Sequence, residues 1–270
     1  MILKQVYRES VQRLADAGVA EPEIEAALLL GHVLGFTRAQ FFLALEQEIP
    51  PPQLSLFNDF LARRLNREPL AYITGEQEFW SLPFSVSSKV LIPRPETEEL
   101  LEKIFAAMRQ DGLPSGPALD LGVGSGAITV VLARELAERP VVGVDLSLAA
   151  LGVAQKNIRR HQVQDKVFLL NGDWLSAIQQ KSRFALIVSN PPYIAATAMA
   201  ALQPEVRDFE PHSALNGGAD GLSAIRTLAS QVHRVLVPGG LFFMEIGADQ
   251  QEAVLKIFSS FPEYDRLQVH

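Results

Sequence analysis

The stretch Phe184-Ala185-Leu186-Ile187-Val188-Ser189-Asn190-Pro191-Pro192-Tyr193 joins an apolar run to a proline-rich tetrapeptide. An apolar run of six residues, closed by two prolines that cannot donate to a ladder, predicts a buried parallel strand that ends abruptly. The tetrapeptide Asn190–Tyr193 is therefore predicted to form a loop at the carboxyl end of a strand. In open α/β sheets, ligands bind at this edge.

The tetrapeptide carries groups that suit a planar –NH₂ group. Asn190 offers a side-chain carbonyl, Pro191 a backbone carbonyl and Tyr193 a flat ring. The lone pair of an amide or exocyclic amine becomes nucleophilic only if both N–H bonds are held out of the plane that resonance prefers. We interpret Asn190, Pro191 and Tyr193 as catalytic, and the whole loop, with Pro192, as substrate-binding. An ordinary Asn-Pro turn is the alternative.

A glycine-rich turn, Gly122-Val123-Gly124-Ser125-Gly126, follows a predicted strand at Ala118–Leu121. Its glycines let the backbone approach a ligand, and the helix that begins after it presents free N–H groups. The turn and Ala127 also satisfy the G-x-G-x-x-G/A dinucleotide pattern, and Asp145 ends the next strand where an acid binds ribose hydroxyls. The pattern indicates a nucleoside without saying which one.

A third predicted strand, Val167–Leu170, ends near Asp173 and Trp174. An acid and an indole at this place could bracket an adenine, although a tryptophan buried in the core is the alternative. A nucleoside pocket beside an amine-binding loop fits S-adenosylmethionine better than NAD, because a dehydrogenase needs a proton-transferring residue and none is evident. In a methyl transfer the protein mainly has to align the reacting atoms, which can supply roughly 7–11 kcal/mol of the barrier.

Composition limits the classes of function. The chain has 270 residues, 48% of them hydrophobic and 20% charged, which suits one large or two modest globular domains. With no cysteine and no histidine pair at ligand spacing, no metal site is expected. The net charge of −7 disfavours a phosphate backbone as partner. Without a signal-peptide pattern or a bilayer-spanning apolar stretch, we expect a cytoplasmic protein without a membrane partner.

The pattern of the chain changes twice, which predicts three segments. Residues 1–76 show helical periodicity punctuated by glycines and prolines and predict a small helical bundle. Residues 77–92 alternate loosely and predict a β-hairpin linker. Residues 93–270 alternate strand and helix, which predicts a doubly wound, mostly parallel α/β sheet. The cluster Arg63, Arg64 and Arg67 is interpreted as a solvated helix face, because the first segment holds seven basic and ten acidic residues.

Several motifs together resemble a known family. The resemblance is to class I methyltransferases that act on planar amino groups, and it is carried by residues 120–126, Asp145 and residues 189–194. Enzymes of this class have a Rossmann-like fold. Residues 67–75, 90–98 and 210–215 narrow the resemblance to bacterial peptide chain release factor glutamine methyltransferases, over nearly the whole chain. Val123 stands where the family usually has threonine, which removes a hydroxyl but keeps the backbone amides.

The resemblance implies methylation of the glutamine side-chain nitrogen in the Gly-Gly-Gln loop of class 1 release factors, with S-adenosylmethionine as donor and S-adenosylhomocysteine as product. Residues 122–126, Asp145, Trp174 and Asn190 would hold the cofactor, and the helical N-terminal domain would help to dock the release factor. We expect a monomer that binds no nucleic acid directly. After the helix near residue 250, a predicted strand at Arg266–His270 runs into the terminus, where the family continues with a last antiparallel strand.

Three alternatives remain open at this point. A related enzyme could methylate a glutamine of a ribosomal protein, although residues 93–98 favour the release-factor type. A DNA adenine methyltransferase shares the tetrapeptide chemistry but needs a basic target-recognition region, which no stretch supplies. A module that holds the cofactor without turnover is a different class of function, and the intact tetrapeptide argues against it.

Overall fold

A computed structural model describes residues 1–136, 138–179, 181 and 183–270, and the chain divides into two compact units. Unit 1 comprises Met1–Glu76 together with Gln203–Phe209, and unit 2 comprises Gln77–Leu202 together with Glu210–His270. The short segment 203–209 therefore packs with the N-terminal helices, although it lies in the second half of the sequence. The sequence does not predict this packing, because a six-residue helix carries no signal of what it packs against.

Unit 1 is helical, as predicted. Its helices are α1 (Leu3–Asp16), α2 (Pro22–Leu34), α3 (Arg38–Leu43), α4 (Pro51–Leu65), α5 (Leu70–Thr74) and α9 (Pro204–Phe209). Local sequence signals account for the ends of these helices. Pro22 is the first residue of α2, and Gly35 ends it in the left-handed conformation, with φ of 68°. Thr37 caps α3 in a capping box with Gln40, and the apolar stripes of the helices meet in one core.

The interpretation of the arginine cluster as a solvated face is wrong for Arg64. Its side chain is only 5% exposed and pairs with two carboxylates, since its guanidinium donates to Glu25 and, over 3.0 Å, to Oε1 of Glu205. Nε of Arg67 donates to the same Glu205 oxygen over 2.6 Å. Arg63 pairs locally with Glu68. The carboxylates that partner Arg64 lie 39 and 141 residues away along the chain, so helical spacing could not reveal them.

Replacing Arg64 with alanine is expected to destabilise unit 1. Glu25 would lose its buried counter-charge and Glu205 one of its two arginine partners, and breaking a buried pair from one side typically costs about 3–5 kcal/mol of the free energy of unfolding. Urea unfolding followed by circular dichroism measures this change. Arg207→Ala is the matched control, because Arg207 pairs with Asp208 on the exposed surface of the same unit. Coincident unfolding curves for the two variants would contradict the expectation.

Unit 2 contains the hairpin and the large sheet. The hairpin pairs β1 (Glu76–Phe79) with β2 (Leu82–Ser85), and α6 (Pro95–Asp111) follows. The sheet is parallel, in the order β5-β4-β3-β6-β7. Its strands and the helices between and after them are β3 (Ala118–Leu121), α7 (Ala127–Glu135), β4 (Val141–Asp145), α8 (Leu148–Arg160), β5 (Val167–Asn171), β6 (Phe184–Ser189), α10 (Ser223–Gln231), β7 (Leu236–Met244) and α11 (Gln251–Phe258). The predicted fold class is confirmed.

Helices cover both faces of the sheet. α6 and α7 contribute buried side chains such as Leu101, Ile104 and Val131 to one core cluster, and α10 contributes Leu228 to another. β6 is buried at every position, as its apolar composition predicts. No helix within the described residues is long and apolar enough to cross a membrane.

The strand register brings the predicted ligand-binding segments to one edge. Leu121 of β3 is level with Val144 of β4 and with Ser189 of β6, and Asp145 is level with Asn171. The loops that follow these four strands therefore begin side by side. The strand order reverses at β3, between its neighbours β4 and β6, and such a switch point is where open α/β sheets bind ligands.

Two features at the end of the chain differ from the sequence-based expectations. β7 was not located, because Pro238-Gly239-Gly240 interrupts its apolar pattern, and a register shift occurs where β7 joins β6. The strand predicted at Arg266–His270 is wrong, since these residues have no regular structure. Leu267 and Val269 are the only apolar residues in that pentapeptide, which is too little buried surface to offset the entropy of ordering.

Candidate active site

A cavity of about 240 Å³ lies at the carboxyl edge of the sheet. Its walls contain most of the residues that the sequence predicted for the site: Gly122, Val123, Gly124, Ser125, Asp145, Asp173, Trp174, Asn190 and Pro192. Three predicted residues, Gly126, Pro191 and Tyr193, do not line it. Arg94 and Thr97, from the start of α6, complete the wall near Asn190.

The glycine turn is held open by Asp145. The amide of Gly124 donates to Oδ2 of Asp145 over 2.8 Å, and the amide of Ser147 donates to Oδ1 over 2.8 Å. Each carboxylate oxygen keeps a further lone pair, so Asp145 can accept from two hydroxyls while it braces the turn. Gly126 has φ of 83° and precedes α7, and a Cβ there would meet Ala154 at 3.2 Å. Gly126 therefore serves the packing of the turn on α8.

Trp174 is both a wall of the cavity and a part of the core, the two alternatives that the sequence left open. It lines the cavity and also packs on the core cluster under β3 and β4. Its φ of 49° lies in the left-handed region, which is strained for a bulky aromatic residue. A capping box between Asp173 and Ser176 fixes this conformation. The indole is thus a rigid flat wall of the cavity.

Asn190 is held by its amide nitrogen. Nδ2 donates to Oε2 of Glu245 over 2.9 Å and to Oγ1 of Thr97 over 3.0 Å, and Thr97 donates to the same Oε2 over 2.7 Å. Among the described residues, no group donates to Oδ1 of Asn190 or to the carbonyl of Pro191. Asn190 therefore has a free acceptor at the cavity wall.

Tyr193 does not line the cavity, and its hydroxyl contacts Glu245. Its hydroxyl donates to Oε1 of Glu245 over 3.1 Å. Burial, together with the charge of Glu245, raises the pKa of Tyr193 to about 12, so the phenol keeps its proton at neutral pH. Nε2 of Gln250 donates to the backbone carbonyl of Tyr193 over 2.9 Å and so fixes the end of the tetrapeptide.

Sequence reasoning missed the side chains that support the tetrapeptide. Thr97 and Glu210 were noted only as parts of family motifs, and Glu245 was not noted at all. Glu210 is buried and accepts from Arg94 over 2.5 Å, which fixes that guanidinium at the cavity wall. The pattern that identifies Asp145 is an acidic residue at the end of a strand. Glu245 fits the same pattern, but the sequence does not predict β7.

Asp120 is a buried acid beneath the glycine turn. Oδ2 accepts from the hydroxyl of Thr129, and Oδ1 has no hydrogen-bond partner among the described residues. Burial, the main cause, and the charge of Asp145 raise the pKa of Asp120 to about 7, although the hydrogen bond from Thr129 lowers it. The folded protein therefore holds a proton on Asp120 at pH values where an unfolded chain would release it.

The groups of the cavity fit S-adenosylmethionine. Trp174 offers a flat wall for an adenine, Asp145 offers acceptors for ribose hydroxyls, and the glycine turn leads into the N-terminus of α7. Asn190, on the neighbouring loop, offers an acceptor for the group that receives the methyl. The fold and the site together define a class I, S-adenosylmethionine-dependent methyltransferase.

Comparisons with known proteins identify the family. Residues 5–75 match the model described as the PrmC N-terminal domain, and residues 97–205 match the methyltransferase small domain. The release factor glutamine methyltransferase of Caulobacter vibrioides is 42% identical over 96% of this chain and 88% of its own. That of Moorella thermoacetica is 42% identical over 100% of this chain and 94% of its own. The chain belongs to the release factor glutamine methyltransferase family.

A solved structure supports the fold alone. The hMettl16 catalytic domain in complex with the MAT2A 3′UTR hairpin 6 has a TM-score of 0.51 and 15% sequence identity, over 76% of this chain and 71% of that chain. The similarity covers the class I methyltransferase architecture and does not extend to a substrate.

Asp120 predicts a specific pH dependence of stability. The carboxyl has its ordinary pKa of 3.8 in the unfolded chain and a pKa of about 7 in the folded protein. Its contribution to stability therefore falls as pH rises from 4 to 7, by on the order of 4 kcal/mol. Asp120→Asn cannot ionise and should show a flatter melting temperature over this interval. Thermal melts from pH 4 to 7 measure both slopes, and parallel slopes would contradict the assignment.

Proposed function

We propose that this protein transfers a methyl group from S-adenosylmethionine to the side-chain amide nitrogen of the glutamine in the Gly-Gly-Gln motif of class 1 release factors. The observation that carries the proposal is the free amide oxygen of Asn190 at the cavity wall. This oxygen can only accept a hydrogen bond, so it suits a substrate group that donates one, such as N–H. Membership in the family supplies the macromolecular substrate, because the relatives are release factor glutamine methyltransferases.

The tetrapeptide would work by orienting the nitrogen. Asn190 Oδ1 and the carbonyl of Pro191 would each accept one N–H bond of the glutamine amide and turn its lone pair toward the methyl group. Pro192 would form the wall beside the glutamine. Tyr193 stays protonated and donates a hydrogen bond to Glu245, so it would hold the loop in place and would not act as a base. No general base is needed before attack, and the nitrogen, which is positively charged once it has accepted the methyl group, releases one N–H proton to water.

The cofactor site would use the other strand ends. S-adenosylmethionine, when bound, supplies a methyl group on a positively charged sulfur that leaves as a neutral thioether. Residues 122–125 would approach it through the backbone, Asp145 would accept from the ribose, and Asp173 with Trp174 would bracket the adenine. Asn190 would contribute to both sites, because its loop begins level with the glycine turn.

The two units would divide the work. We assign residues 1–76 to partner docking, residues 77–92 to a β-hairpin linker and residues 93–270 to the methyltransferase domain. Unit 1 carries exposed apolar side chains, including Phe42 at 46% and Leu43 at 86% exposure, which suits contact with a protein. The net charge of −7 argues against a polyanionic partner. We place the monomeric enzyme in the cytoplasm.

The substrate is tested by changing the release factor. Replacing the motif glutamine with glutamate should abolish methyl incorporation, because a carboxylate brings no N–H donor and would face two acceptor oxygens. Replacing it with asparagine should nearly abolish incorporation, because the missing methylene withdraws the nitrogen by about 1 Å, and misplacement of that size typically costs about 100-fold in rate. Labelled cofactor with purified release factor and its variants measures this. Adenine-containing duplex DNA is assayed in parallel. Incorporation of the labelled methyl group into the DNA, with none into the release factor, would overturn the proposal.

The division between cofactor and substrate roles is tested by two variants. Asp145→Ala should weaken binding of S-adenosylmethionine, because it removes the ribose acceptor and the brace of the glycine turn. Tyr193→Ala should leave cofactor affinity nearly unchanged and lower turnover. Calorimetry with the cofactor alone measures the first quantity, and methyl incorporation measures the second. Equal losses of cofactor affinity in the two variants would show that the roles are not separate.

A further inference from the structure

We infer that Glu245 is a positioning residue, which fixes the orientation of the Asn190 amide and thereby makes the site select an –NH₂ group. The inference rests on the proposed function and deepens it. It concerns a residue outside the tetrapeptide that does not itself line the cavity. Its effect would pass through its hydrogen-bond partners Asn190, Thr97 and Tyr193.

Glu245 contacts three donors that converge from different elements. Oε2 accepts from Nδ2 of Asn190 and from Oγ1 of Thr97, and Oε1 accepts from the hydroxyl of Tyr193. The backbone amide of Glu245 donates to the carbonyl of Ser189 over 3.1 Å, and this bond places the side chain directly beside Asn190. The ladder of β6 and β7 thus fixes the carboxylate, and α6 supplies Thr97.

The donors and acceptors of this cluster allow only one orientation of the amide. A carboxylate only accepts hydrogen bonds, and Thr97 spends its single proton on Glu245. If the Asn190 amide were reversed, Oδ1 would face a carboxylate oxygen and a hydroxyl oxygen that has no proton to offer. Both hydrogen bonds of Nδ2 would be lost. Glu245 therefore directs Nδ2 inward and leaves Oδ1 at the cavity wall.

This orientation has a consequence for specificity. The proposed function assigns the carbonyl of Pro191 as a second acceptor beside Oδ1 of Asn190, and a group with two N–H bonds would satisfy both. A hydroxyl can donate only once, and a carboxylate cannot donate at all, so each leaves an acceptor without a partner. A reversed amide would present a donor instead and would favour a carbonyl oxygen of the substrate.

Opposing influences act on the pKa of Glu245, and the net shift is upward because burial is the largest of them. Burial raises the pKa of Glu245, and the charge of Glu96 raises it further, whereas hydrogen bonds from Thr97, Tyr193 and Asn190 lower it. Arg94, on the same wall, is paired with Glu210. The three donors have no other acceptor of comparable strength in the cluster, so they favour the carboxylate over the neutral acid.

The test compares Glu245→Gln with Glu245→Ala in the full chain. Glutamine can offer Oε1 to Asn190 and Thr97 and Nε2 to the hydroxyl of Tyr193, which then accepts. Alanine offers nothing. We expect kcat for release factor methylation to fall roughly a hundredfold in Glu245→Ala and to stay within about tenfold of the wild type in Glu245→Gln. Glu252→Gln, in the first turn of α11, is the control.

The outcomes separate the inference from the proposed function. A Glu245→Gln variant as inactive as Glu245→Ala would overturn the positioning role, because only the charge or basicity of the carboxylate would then explain the loss. Full activity of Glu245→Ala would overturn it as well. A wild-type protein that methylates no release factor in the same assay would refute the proposed function, and the orientation of the amide would then be decided by spectroscopy.

The spectroscopic readout does not require turnover. In protein labelled with ¹⁵N-asparagine, the side-chain signals that disappear in Asn190→Ala belong to Asn190. Its two amide protons should exchange with water about tenfold faster or more in Glu245→Ala than in the wild type, since a hydrogen bond to a charged group is lost. Glu245→Gln should retain most of the protection. Unchanged exchange in Glu245→Ala would contradict the inference.

Discussion

The hydrogen bonds between the Glu245 carboxylate and the Asn190 amide are the interaction on which the active site depends. They convert a side chain with two chemically different ends into an acceptor with a fixed direction. The parallel sheet makes this possible, because β6 and β7 end side by side and bring the two residues together. In the proposed mechanism, Glu245 thus sets the orientation of Asn190 from outside the tetrapeptide.

The electrostatics of the cavity agree with catalysis by orientation. Tyr193 keeps its proton far above neutral pH, and Asp120 stays protonated up to about pH 7 beneath the glycine turn. Asp145 is ordered by hydrogen bonds from two backbone amides. None of these groups is arranged as a proton-transfer pair with Asn190. A methyl transfer from a charged sulfur needs alignment more than it needs acid–base help.

Local patterns in the sequence predicted much of this structure. The apolar run before Asn190 and the glycine turn after Leu121 each specify a strand and the loop that follows it, and both were placed correctly. Partnerships across the chain could not be predicted in this way. Arg64 was assigned to solvent because its carboxylate partners lie far away in the sequence, and Glu245 was missed because a Pro-Gly-Gly interruption hid β7.

A crystal structure of the enzyme with S-adenosylhomocysteine and a peptide containing the Gly-Gly-Gln motif is the most direct test of the account. We expect Nε2 of the glutamine to lie within about 2.7–3.2 Å of both Asn190 Oδ1 and the carbonyl oxygen of Pro191, with Asn190 Nδ2 still hydrogen-bonded to Glu245. A complex in which the glutamine presents its oxygen to Asn190, or in which Asn190 has turned away from Glu245, would contradict it.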